Sequence, residues 1–68
     1  MTHSNLVADE LHNVGFATKI KRTGAVKVTL SNRKVYKPEV QECLELLFEG
    51  ISFTLIQSFN GVLVVVED

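Results

Sequence analysis

Lysine and arginine are the residues of this chain whose types and spacing could do chemistry, because all seven of them fall between positions 19 and 37. No Asp or Glu interrupts that segment, and all eight acidic residues lie outside it. Such uncompensated positive charge can contact phosphate groups, and binding of that kind weakens as salt rises. The predicted nucleic-acid contacts are Lys19, Lys21, Arg22, Lys27, Arg33, Lys34 and Lys37.

Two other interpretations of the basic segment stay open. Lysines on a sheet can form a solvated face that discourages edge pairing, or they can dock on an acidic protein, such as the glutamate-rich helix of another copy. Alternation with apolar residues predicts that Lys19, Lys21 and Lys27 lie on the outer face of the sheet. Three features weigh against nucleic acid: an isoelectric point near 6.1, only two arginines, and no stacking aromatic on that outer face. Tyr36 is the one aromatic residue inside the segment.

The other polar residues form no catalytic or metal-binding pattern. A single cysteine, Cys43, cannot make an internal disulfide, and with His3 and His12 it does not have the spacing of a zinc site. The glycines match neither phosphate-binding loop pattern. We therefore predict a non-enzymatic protein with no cofactor, no metal and no small-molecule substrate.

Length and composition predict one small domain spanning residues 1–68. A chain of this size buries only about 60% of the surface that its unfolded form exposes, so its stability is modest. Association with a second copy is the stabilising device that remains once disulfides and metals are set aside, and a hydrophobic content of 46% permits it. No apolar run approaches the ~18 residues of a membrane span, and no signal peptide is recognisable, which favours the cytoplasm.

Hydrophobic periodicity predicts the element order α-β-β-α-β-β. The first helix is expected over 4–13 with Ser4 as its N-cap, and the second from Pro38 to a stop at Gly50. Strands are expected over 16–21, 25–31, 51–58 and 62–67. The predicted fold is α+β: a two-layer sandwich in which both helices pack on one face of a four-stranded, mostly antiparallel sheet. The order of the strands stays open.

The register of the first hairpin follows from its apolar residues. A three-residue loop over 22–24 places Ile20 opposite Val26 and Thr18 opposite Val28, so the apolar side chains share one face. It also gives Gly24 the left-handed position, where glycine fits best.

The same argument predicts a loop over 59–61 in the second hairpin, with Leu55 opposite Val65 and Gln57 opposite Leu63; a two-residue Asn60-Gly61 loop is the alternative. The outer face of this hairpin then becomes apolar and needs a cover, which predicts a homodimer. The predicted interface consists of Ile56, Phe59, Val62, Val64 and Val66.

Together these observations predict a small nucleic-acid-binding module that uses a basic β-hairpin and the loop after it. The alternative is a protein–protein interaction module, an adaptor or inhibitor, that docks through the apolar outer face.

Overall fold

The computed structural model describes residues 3–67 and has the predicted element order. The elements are α1 (His3–Asn13), β1 (Ala17–Ile20), β2 (Val26–Thr29), α2 (Lys37–Leu47), β3 (Ser52–Gln57) and β4 (Gly61–Glu67). The sheet has the strand order β1-β2-β4-β3, and every neighbouring pair is antiparallel. The predicted α+β fold is confirmed, with β2 and β4 at the centre of the sheet and β1 and β3 at its edges.

Both helices pack on one face of the sheet and share its core. α1 contributes Val7 and Leu11, and α2 contributes Val40 and Leu44; each pair is spaced by four residues and therefore lies on one side of its helix. The prediction that Ser4 caps the first helix from outside is wrong, because Ser4 is the second residue of α1. Its side chain is buried, and its hydroxyl donates a hydrogen bond to the Gly24 carbonyl. α1 is thereby tied to the first hairpin.

The predicted register of the first hairpin is confirmed. Ile20 lies opposite Val26 and Thr18 opposite Val28. The Lys21 N–H donates to the Ala25 carbonyl over 2.7 Å, so residues 22–24 form the loop. Gly24 has φ +94°, the left-handed conformation that glycine adopts without steric strain.

The predicted register of the second hairpin is wrong by one residue. Leu55 lies opposite Val64 and Gln57 opposite Val62. Ser58 donates to the Gly61 carbonyl over 2.8 Å, so the turn consists of residues 59–60 and Gly61 belongs to β4. A Cβ on Gly61 would stand 2.1 Å from the Val28 carbonyl oxygen. Glycine is therefore required there by the close approach of β2 and not by the turn.

A shift of one residue turns every side chain of a strand to the opposite face. Val62 and Val64 are fully buried in the core beneath the helices, and Val66 packs against that core. Their predicted position on the outer face was wrong, and Leu63 and Val65, which were predicted to point inward, lie there instead. Ile56 lies on the outer face as predicted.

Candidate nucleic-acid interface

Three lysines of the first hairpin share the sheet face that carries no helix. Lys19 on β1 lies directly opposite Lys27 on β2, because the three-residue loop sets that register. Lys21 follows Lys19 by two residues, so its side chain points to the same side. Lys19 and Lys21 are exposed and Lys27 is half-buried. The outer face of this hairpin therefore presents a compact group of ammonium ions.

The electrostatics of this group are unfavourable for the isolated chain. The Lys21–Ala25 hydrogen bond and the alternation of antiparallel pairs make Lys19 and Lys27 a hydrogen-bonded pair, with Cα atoms about 5.5 Å apart. Like charges directly opposite each other destabilise a sheet. Within residues 3–67, none of the three lysines forms an ion pair that would offset this repulsion.

Arg22 adds a fourth cation at the tip of the same hairpin. It is the first residue of the loop and is exposed. In the part of the chain that the structure describes, it likewise has no acidic partner. We call Lys19, Lys21, Arg22 and Lys27 the hairpin cations.

Arg33 is neutralised by a carboxylate. Its Nη1 and Nη2 donate to the two carboxylate oxygens of Glu39 over 3.0 and 2.7 Å, a bidentate geometry that charge strengthens. The Arg33 guanidinium, together with the Tyr36 N–H, lowers the pKa of Glu39 from 4.5 to about 2. The same hydrogen bond raises the pKa of Arg33. Arg33 therefore helps to hold the start of α2 and is poorly placed to bind phosphate.

Lys34 and Lys37 also belong to the start of α2. The Lys34 Nζ lies 5.4 Å from the centroid of the Tyr36 ring, within the range of a cation–π contact. The Lys37 N–H donates to Gln57 Oε1 over 3.0 Å, so Lys37 stands beside β3, at the edge of the sheet opposite to β1. The seven cations thus divide into the four hairpin cations and three residues around the start of α2.

The outer face changes character from one edge to the other. The register places Lys19, Lys27, Leu63 and Ile56 in one row across β1, β2, β4 and β3. Leu63 is half-buried and Ile56 is 48% exposed. Along this row the uncovered face is therefore cationic on the first hairpin and aliphatic on the second.

Gln57 is a residue whose role the sequence pattern did not predict. Besides accepting the Lys37 N–H, its side chain donates to the carbonyls of Val35 and Gly61 over 2.8 and 3.0 Å. It thereby joins the connection before α2 to the second turn. The sequence does contain one sign of this role: Gln57 is a lone amide on the inward side of a strand whose other inward residues, Phe53 and Leu55, are apolar.

Within residues 3–67, no group of three or more His, Cys, Asp or Glu side chains is arranged to hold a metal ion. Over the same range, neither helix combines the length and the apolar character that crossing a bilayer requires. Comparison of the chain with protein-family models, curated proteins and solved structures finds no match.

Proposed function

We propose that this chain is a small, non-enzymatic, cytoplasmic module that binds nucleic acid through the hairpin cations and acts as a homodimer. The observation that supports the proposal is the pairing of Lys19 with Lys27 on the uncovered face, where neither lysine forms an ion pair with a described residue. A polyanion would remove the repulsion that this pair causes in the isolated chain.

The chemistry of the face favours the phosphate backbone over base edges. Ammonium groups contact phosphates as point charges, whereas bidentate recognition of guanine is typical of arginine. The neighbouring side chains Leu63, Val65 and Ile56 offer no donors or acceptors for base edges. We therefore expect binding that depends strongly on salt and weakly on sequence.

The test is a fluorescence anisotropy titration of labelled duplex and single-stranded oligonucleotides at several salt concentrations. Four phosphate contacts for each copy that binds a duplex predict a slope of log K against log salt of about −3.6 per copy. Lys27→Ala should make that slope shallower by about 0.9 per copy. Lys34→Ala, which removes the same charge next to Tyr36, should leave the slope unchanged.

Two results would contradict this proposal. One is the absence of binding at about 50 mM salt, where contacts with phosphate are strong, and the other is binding that salt does not weaken. An equal loss of slope for Lys34→Ala and Lys27→Ala would show that the contact is not confined to the hairpin cations.

A second candidate function is docking on another protein through the aliphatic half of the outer face. Ile56 is 48% exposed on that face, and Phe59 is 92% exposed at the neighbouring turn. Capture of a specific protein that survives nuclease and the triple charge reversal of Lys19, Lys21 and Lys27 would favour this function. Loss of capture in Leu63→Glu would locate the contact.

A further inference from the structure

We propose that β3 pairs antiparallel with β3 of a second copy, so that two four-stranded sheets become one continuous sheet with the two α2 helices side by side at its centre. This inference locates the homodimer named in the proposed function, and it does not depend on binding of nucleic acid. Four features of β3 and of the neighbouring helix α2 support it.

The first feature is an edge strand without protection. β3 is an edge of the sheet and runs for six residues with the sequence SFTLIQ. Natural edge strands are usually kept short, or carry lysine, proline or a bulge, which prevents pairing with another chain. β3 carries no charge and no proline, so its sequence has none of the side chains that oppose an added strand.

The second feature is the direction of its backbone groups. The hydrogen bond from Ser58 to Gly61 makes these two residues a hydrogen-bonded pair. Hydrogen-bonded and non-hydrogen-bonded pairs alternate along antiparallel strands. The N–H and C=O groups of Phe53, Leu55 and Gln57 must then point away from β4, toward the open edge.

The third feature is a groove of about 380 Å³ between α2 and this edge. Its apolar lining consists of Leu44, Ile51, Phe53 and Leu55, and its polar lining of Lys37, Gln41 and Glu45. An apolar groove beside an open strand edge is the setting in which proteins accept an additional strand.

The fourth feature identifies the occupant as a second copy. Lys37, Gln41 and Glu45 are spaced by four residues and form one stripe along α2, with opposite charges at equal distances from Gln41. A two-fold axis beside Gln41 brings Lys37 of each copy to Glu45 of the other copy. The stripe is therefore complementary to itself, as a two-fold interface requires.

A two-fold axis beside Gln41 also fits antiparallel pairing of the two β3 strands. The hydrogen bond from the Lys37 N–H to Gln57 Oε1 sets the start of α2 level with Gln57, and α2 runs back toward the start of β3. Four helical residues advance about 6 Å and two strand residues about 6.6 Å, so Gln41 stands level with Leu55. An axis beside Gln41 pairs Leu55 with Leu55, and Phe53 with Gln57.

This register keeps the inward side chains of both strands on one face and forms hydrogen bonds from the outward backbone groups of both copies. It covers the apolar lining of the groove. The hairpin cations of both copies face the same side, with the two β2 strands five strand spacings, or about 24 Å, apart.

The first experiment measures mass against protein concentration by sedimentation equilibrium. We expect association to twice the chain mass of 7.6 kDa. Lys37→Glu and Glu45→Lys should each weaken the dimer by about tenfold, because two symmetric attractions become repulsions. The double variant should recover most of the affinity, while Asp9→Lys and Lys19→Glu, matched charge reversals on α1 and β1, should change nothing.

The second experiment follows amide hydrogen exchange by NMR over the same concentrations. The amides of Phe53, Leu55 and Gln57 should exchange more slowly as the dimer forms. Those of Thr18 and Ile20, which point outward from the β1 edge by the same alternation, should exchange at a constant rate.

A chain that stays monomeric up to millimolar concentration would overturn this inference. So would concentration-dependent protection at Thr18 and Ile20, or a dimer that Leu63→Glu on the outer face dissociates while the charge variants do not. A Lys19→Glu protein that still dimerises but no longer binds oligonucleotides would separate this inference from the proposed function.

Discussion

The two hairpins occupy equivalent places in the sheet and carry different chemistry. Each contributes one central strand, β2 or β4, and one edge strand, β1 or β3. In one row across the outer face, the cross-strand pair of the first hairpin is Lys19–Lys27 and that of the second is Ile56–Leu63. One hairpin is thus suited to a polyanion, and the other to an apolar surface.

The two edges differ in the same way. β1 has four residues with Lys19 among them, and the Thr18 hydroxyl on this strand donates to the Ala8 carbonyl of α1 over 3.2 Å. β3 is longer, uncharged and bordered by an open groove. This small sheet is therefore protected against pairing at the β1 edge, while the β3 edge is open to an added strand.

The largest change in stability is expected at the two hairpin glycines, Gly61 in β4 and Gly24 in the first loop. Gly61→Ala should destabilise the protein by about 3 kcal/mol, because its Cβ would collide with the Val28 carbonyl at 2.1 Å. Gly24→Ala should lose only about 1 kcal/mol, since the alanine meets strain at φ +94° but no clash. Urea unfolding measures both, and equal losses would contradict the different roles of the two glycines.

A smaller effect distinguishes the two faces of β4. Val64→Ala should lower the free energy of unfolding by about 2 kcal/mol, because it opens a cavity in the core. Val65→Ala on the outer face should lose much less. A larger loss of stability for Val65→Ala than for Val64→Ala would instead support the register predicted from the sequence, with Leu55 opposite Val65.

A gain in stability is expected from Lys27→Glu. Glutamate at this position would face Lys19, so repulsion across the strands becomes attraction worth about 0.5 kcal/mol. The same variant should lose affinity for oligonucleotides. Stability and binding changing in opposite directions would support a lysine pair kept for function, whereas a loss of stability would contradict the repulsion.

The smallest effect concerns the connection between the hairpins. The pKa of Glu39 is lowered to about 2 in the folded protein from an ordinary 4.5. The stabilisation from its ion pair with Arg33 is therefore complete above about pH 5 and disappears as pH falls toward 2. Glu39→Gln should flatten the dependence of the urea midpoint on pH over this range; an unchanged dependence would assign it to other carboxylates.

Much of the fold is predictable from local pattern. The element order and the first register followed from apolar alternation and from Gly24, because that turn requires a positive φ and only one loop length keeps Ile20 and Val26 on the same face. Periodicity alone does not say which apolar residues are buried: Val7, Ala8 and Leu11 of α1 are buried, while Leu6 and Val14 are about half exposed.

The candidate site was predictable only in part. Lys19, Lys21 and Lys27 were correctly placed on the outer face, because their alternation with apolar residues is a local property. The pairing of Arg33 with Glu39 and the position of Lys37 beside Gln57 depend on the path from β2 to α2 across the sheet. That path follows from the strand order, which no local pattern contains.

The helices, the strands and the segregation of charge can be predicted from the amino-acid sequence alone, since each depends on residues only a few positions apart. The strand order and the face on which Val62 and Val64 lie depend on contacts between distant parts of the chain. Gly61 explains this difference, because β4 carries apolar residues on both faces from Val62 to Val66 and alternation could not choose its register. The Val28 carbonyl, 33 positions away in the sequence, lies so close to position 61 that only a residue without a side chain fits there.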